Sequence, residues 1–137
     1  MRCFLIAIFL TAAACAKEEP ASSGLASGIF TGNGSDALCI AGEVGAQRAG
    51  FVVYGADDAN CSASGRIEPA GASYSLIPAG DTACKIPFSV DADQINFGPA
   101  RPSCAYYCGP GVSFGGKSFR RSANAKPATD LVGDPLC

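Results

Sequence analysis

The chain has 137 residues, 10 basic and 12 acidic side chains, and a formal net charge of −2. That balance offers no basic field for a nucleic-acid backbone, so no nucleic-acid partner is expected. With no histidine, the usual general base of nucleophilic catalysis and a common metal ligand are both missing. The 17 glycines, nine prolines and eight cysteines point to short strands, tight turns and covalent staples, not a helical fold.

Residues 1–15 read MRCFLIAIFLTAAAC. Arg2 supplies a short positive segment, and residues 4–10 form an uncharged apolar run. Such a run is too short to span a bilayer and has the form of a secretory signal. Ala12-Ala13-Ala14-Cys15 resembles a bacterial lipobox, with Ala12 where leucine most often stands. The resemblance implies that residues 1–14 are removed and that the Cys15 thiol carries lipid. A multiply acylated N-terminus would then hold the protein on the membrane, and Ala16 after the cysteine, where no aspartate stands, points to the outer membrane facing the periplasm. Ala12-Ala13-Ala14 also satisfies the rule for plain secretion. Lipidating Cys15 leaves Cys39, Cys61, Cys84, Cys104, Cys108 and Cys137, an even set. Cutting after Ala14 without lipid leaves an odd one, and cutting after Ala16 restores six, so parity alone does not choose. Cys3 goes with the signal.

The mature chain is long enough for one domain with a modest core. Six exported cysteines allow three bridges, each stabilising by about 2–4 kcal/mol, in fifteen possible pairings. Residues 15–26 are small and polar and read as a lipidated tether. The domain then runs over residues 27–137. Residues 28–31 begin it, a turn follows at 32–36, and residues 37–41 and 50–54 are dense apolar strands.

Residues 61–68 alternate, with Cys61, Ala63, Gly65 and Ile67 facing inward and Gly65 marking a bulge or bend. Pro69-Ala70-Gly71 reads as a turn, and residues 73–77 return with Tyr74 and Leu76 on one face. After a turn at 78–81, residues 84–90 put Cys84, Ile86, Phe88 and Val90 inward. Pro87 cannot donate to a ladder, which makes this an edge or interrupted strand. Residues 91–93 turn, and Ile95 and Phe97 face in again. Consecutive hairpins of this kind give an all-β antiparallel meander of six to eight strands. The simplest way to remove its edges is to close it into a small barrel.

Residues 103–110 read as one helical turn with Ser103 at its N-cap and Gly109 after its end. Cβ atoms four apart on a helix stand about 5–6 Å from each other, too far for a disulfide. Cys104 and Cys108 are therefore expected to bond to two different strands or to Cys137. Residues 120–137 read as a polar tail, loose but for Cys137. Acids dominate residues 36–93, whereas Arg101, Lys117, Arg120, Arg121 and Lys126 make the C-terminal part basic. Those charges are too spaced for a dense basic run, and are expected to be solvated or folded against the acidic body.

No motif carries catalysis. Residues 111–118 match the P-loop string G-x-x-x-x-G-K-S, but no buried strand precedes it and no helical pattern follows. It reads as a glycine-rich loop that tucks Phe114 and Phe119 under the barrel. Cys104 and Cys108 lack the C-x-x-C spacing of redox sites. Asp57-Asp58 and the Asp91/Asp93 pair lie in turns, where aspartate usually caps backbone amides. No enzyme activity, metal or cofactor is expected.

Asp36-Ala37-Leu38-Cys39, Asn60-Cys61-Ser62, Cys84-Lys85-Ile86-Pro87 and the stretch from Cys104 to Gly111 resemble small cysteine-rich lipoproteins of alphaproteobacteria, a likeness that carries no activity. Gly71-Ala72-Ser73-Tyr74 partly resembles the binding loop of membrane-bound inhibitors of c-type lysozyme, which implies a partner contact at Ser73 and Tyr74. By alternation alone Ser73 is an outward strand residue. The expectation is thus an envelope lipoprotein acting as a non-catalytic binding or structural module, meeting an envelope or host protein. Its alternatives are an inhibitor of lysozyme-like hydrolases, or a carrier with a ligand cavity lined by Phe51, Tyr74, Phe88 and Phe97.

Overall fold

Alternation every second residue puts one face of each strand into a common interior, and here the interior closes. The computed structural model describes residues 25–137, within which eight antiparallel strands form a barrel in sequence order. They are β1 (Gly28–Thr31), β2 (Ala37–Ala41), β3 (Arg48–Tyr54), β4 (Asn60–Ala70), β5 (Ser73–Pro78), β6 (Ile86–Asp91), β7 (Gln94–Phe97) and β8 (Ser118–Arg121). β8 pairs back onto β1 through Phe30↔Arg121 and Thr31↔Arg120. The signal sequence, Cys15 and most of the tether lie outside the described residues.

A barrel of about eight strands has an interior that side chains can fill. Phe97 stands at its centre, with ring centroids 4.9 Å from Phe51, 5.2 Å from Phe119, 6.0 Å from Phe114 and 6.3 Å from Phe88. All four pairs meet edge-on or tilted, as ring quadrupoles prefer. Phe114 and Phe119 are therefore inside the barrel and not merely beneath it.

Several sequence expectations change. Pro69 and Ala70 belong to β4, and the turn is the two residues Gly71-Ala72, with Gly71 at φ +65 where an L side chain is strained. β6 is no edge, because the barrel has none. Pro87 sits opposite Ser75, and its carbonyl accepts from the Gly98 N–H. Gly65 is not a bulge, since it pairs one to one with Ala49 within the β3 ladder and with Pro78 at the end of the β5 ladder. A Cβ there would overlap the Ile77 carbonyl, so glycine is required by close backbone approach. Ser103 caps nothing. The helical turn is a 3₁₀ segment, Pro102–Tyr107, with Pro102 in its first turn and no side-chain cap.

The bridges are Cys39–Cys137, Cys61–Cys108 and Cys84–Cys104. As expected, Cys104 and Cys108 take separate partners. They fasten the 98–117 connection across the end of the barrel that also carries the turns at 32–36, 55–59 and 79–85. Phe114 plugs that end. The Tyr107 hydroxyl donates to Asp81 Oδ2 at 3.0 Å, and Asp81 Oδ1 accepts from the Ala83 and Cys84 amides at 3.1 and 3.2 Å. Burial, then the bond to Asp81 and its charge, hold the Tyr107 phenol above its ordinary value near 10. A raised phenol value means the folded state keeps this proton longer. The stability it brings is whole below pH ~10 and fades as pH climbs through the raised value. Tyr107→Phe should accordingly lose about 1 kcal/mol at neutral pH. Paired denaturation curves across pH should show the gap shrinking in alkali.

The segment read as a loose tail is more ordered than its composition suggests. Arg120 and Arg121 are in β8. Beyond them the Leu136 N–H donates to Ala128, and Asp130 Oδ1 accepts from the Val132 and Asp134 amides at 2.9 Å. Ala128 and Leu136 pack with Cys39 and Val52 on the outer side of β2 and β3, under the Cys39–Cys137 bridge. Two of the five basic side chains fold against the acidic body: Lys117 reaches Asp36 at 3.8 Å and Arg121 reaches Asp93 at 3.4 Å, while Arg120 donates to Gln94 Oε1 at 2.8 Å.

Candidate binding site at the barrel mouth

The other end of the barrel is more open. The connection between β2 and β3, the Gly71-Ala72 turn and the Ala92-Asp93 turn gather there, and the chain enters at Leu25. Between them is a cavity of about 350 Å³. Its walls come from inward positions of five strands: Phe30 of β1, Ile40 of β2, Tyr74 of β5, Val90 of β6 and Ile95 of β7. Ala72, Ala92 and Asp93 from the turns form its rim, with Leu25, Ala26 and Arg121. Val90 has inward parity, as alternation predicts, yet is 39% exposed because the strand has reached the mouth.

Two side chains hold the segment before β1 against this rim. Gln47, only 7% exposed, clasps Leu25: its Oε1 accepts from the Leu25 N–H at 3.1 Å and its amide donates to the Leu25 carbonyl. Arg121 donates to the carbonyls of Ser27 at 2.9 Å and Ala26 at 3.0 Å, pairs with Asp93, and lies 4.8 Å from the Phe30 ring centroid. A buried glutamine with both amide atoms used is satisfied, and cutting it back strands two backbone groups. Gln47→Ala should cost about 1–3 kcal/mol, appearing as early loss of amide protection at Leu25 rather than as global unfolding. Hydrogen exchange at that amide is the check.

The residues singled out by sequence are dispersed. Tyr74 lines the mouth with its ring stacked 5.5 Å from Phe88, while Ser73 begins β5 on the opposite parity, paired with Ala70. Phe51, Phe88 and Phe97, expected with Tyr74 to line an interior cavity, pack against one another instead and fill the barrel's middle. The six cysteines serve as bridges, and Cys15 is outside the described residues. The P-loop string runs into strand β8 with no helix after it, and its Lys117 turns to Asp36, which also accepts from the Tyr54 N–H at 2.8 Å. Asp57 and Asp58 occupy a 3₁₀ turn at φ 55 and 59, and Asp93 is taken by Arg121. Among the described residues no three Cys, Asp or Glu groups converge as a metal cluster would.

Leu25, Gln47 and Arg121 were missed. Arg121 looked like one more tail charge, and nothing local marks a glutamine in a Gly-Ala-Gln-Arg loop as buried. Two further surface hollows, beside Asp36 and Lys117 and along the 3₁₀ segment, are broader than the mouth. The first is lined mostly by polar and turn residues, and the second lies over Cys104 and Phe114 at the bridged end. Against protein-family models, curated proteins and solved structures alike, the chain has no match.

Proposed function

We propose that this chain is an envelope lipoprotein, anchored through acylated Cys15, whose barrel is a non-catalytic binding module open toward the membrane. The observation that carries the reading is the point of entry. The segment 25–27, which leads from the tether into β1, is clasped at the barrel's open mouth by Gln47 and Arg121, and the far end is sealed by two bridges. A tether of residues 16–24 reaches about 30 Å at full extension. Lipid on Cys15 would keep the mouth within that reach of the bilayer and leave the bridged end, with its 90% exposed Tyr106, farther along the chain from the anchor. Three bridges in so small a domain suit an oxidising compartment.

Mass spectrometry of the protein from a membrane fraction tests this. The expected species starts at Cys15, carries acyl mass and has no free thiols. A species retaining residues 1–14 with reduced cysteines would sink it. The hydrolase-inhibitor alternative gains less, since Tyr74 turns into the mouth instead of projecting from the hairpin. Pull-down of lysozyme, compared with a Ser73→Ala variant, tests that alternative separately.

A further inference from the structure

We infer that the cavity at the barrel mouth receives a single acyl chain whose head carries no charge. This deepens the proposed binding role, but the site itself stands on described residues and does not require Cys15 to be lipidated. The walls are apolar: Phe30, Ile40 and Ile95 form the buried floor, beside Tyr74, and Val90, 39% exposed, is the side chain that a ligand meets first. At about 350 Å³ the space lies at the small end of ligand pockets. Allowing about 30 Å³ per methylene, the share of one water, it takes on the order of ten methylenes, part of one chain and not a whole diacyl lipid.

Charge at the rim decides the head group. Arg121 is the cation of the mouth, and three of its five N–H donors go to the Ser27 and Ala26 carbonyls and to Asp93, the last of which pairs its charge. A carboxylate entering here would meet Asp93 as well and find no unpaired cation. An ester or amide meets no such penalty. A fatty acid anion is thereby disfavoured, and an esterified or amide-linked chain is favoured.

The entry of the chain names the nearest source. Leu25 and Ala26 line the cavity, and Cys15 is ten residues upstream, within about 33 Å of reach. An acyl group at that distance is presented at an effective concentration on the order of millimolar. The mouth would then shelter one of the protein's own chains when no bilayer does. Acyl chains of neighbouring lipids share the same chemistry and are the second source.

The test uses the full chain with Cys15→Ser, which cannot be lipidated, and the uncharged fluorophore N-phenyl-1-naphthylamine. Saturable binding of one probe per chain is expected, displaced by methyl decanoate and at least about tenfold less well by decanoate. Val90→Trp, which fills the mouth, should weaken probe binding about tenfold or more. Ala72→Trp, placed on the exposed turn, repeats the test should the β6 variant misfold. A folded Cys15→Ser protein that binds no probe overturns the inference, as does probe binding by folded tryptophan variants as tight as without the tryptophan, or tighter binding of decanoate than of its ester. Wild-type protein of acylated mass then separates the sources. Probe uptake below that of Cys15→Ser assigns the site to the protein's own chain, and equal uptake assigns it to chains of other lipids. Absence of acyl mass would refute the anchor while leaving the probe result intact.

Discussion

Phe97→Ala is expected to cost about 3–5 kcal/mol, the usual penalty for emptying an aromatic site in a packed core. Phe97 is 4% exposed and its ring touches those of Phe51, Phe88, Phe114 and Phe119. Those neighbours come from β3, β6, the 98–117 connection and β8, so one deletion loosens contacts on all sides of the barrel. The hydrogen-bonded wall cannot collapse inward to fill the space, which places the cost at the high end of the range. Phe97→Leu keeps most of the volume and should lose much less. Denaturant titration of both variants is the measurement, and a Phe97→Ala loss under about 1 kcal/mol would mean that the interior is not filled as described.

The second large effect belongs to the bridge between Cys61 and Cys108. Replacing both by alanine should cost about 2–5 kcal/mol. Cys61 is fully buried in β4, and the Gly109 N–H beside its partner donates to the Asn60 carbonyl at 2.8 Å. Losing the bridge frees the cap to pull away from β4 while Cys84–Cys104 still holds its start. Alanine is the right replacement, since serine would leave a hydroxyl without a partner in a dry site. Cys39→Ala with Cys137→Ala should behave differently. Its bridge spans more of the chain, yet it ties an outer strap of which Ala128 and Leu136 are the buried apolar residues. Chain entropy argues for the larger loss, but the strap can peel off while the barrel stays closed, so local opening wins. Exchange should rise over residues 122–137 before the barrel melts.

Much of the barrel was legible because alternation is a local property. Cys61, Ala63 and Gly65, or Ile95 and Phe97, declare their face whatever they pair with. Closure was less legible, because β8 is four residues long and lies in a stretch rich in charge and serine. Its inward Phe119 is flanked by Lys117, Ser118, Arg120 and Arg121, and the pairing with β1 joins segments about ninety residues apart. The dense strands β2 and β3 were ambiguous for another reason. Residues covered on both sides lose their alternation. Leu38 and Ile40 face the barrel, but Cys39 and Val52 are buried from outside by the tail, which no window around them contains. The candidate site was harder still. Parity gives Val90 its direction but not its depth, and Arg121 acquires a role only when the first described residues are brought beside it.

The three bridges nest one inside another: Cys84–Cys104 within Cys61–Cys108 within Cys39–Cys137. A chain that emerges from its N-terminal side presents Cys39 and Cys61 first, and each has its partner still to come. Joining neighbours as they appear would couple Cys39 to Cys61, a mispairing that must be undone by thiolate attack before the outer pairs can form. Oxidative maturation should thus proceed from the inside outward, with Cys137 the last thiol consumed. Its pace should be set by reshuffling, in seconds to hours, and should quicken when a disulfide isomerase is supplied.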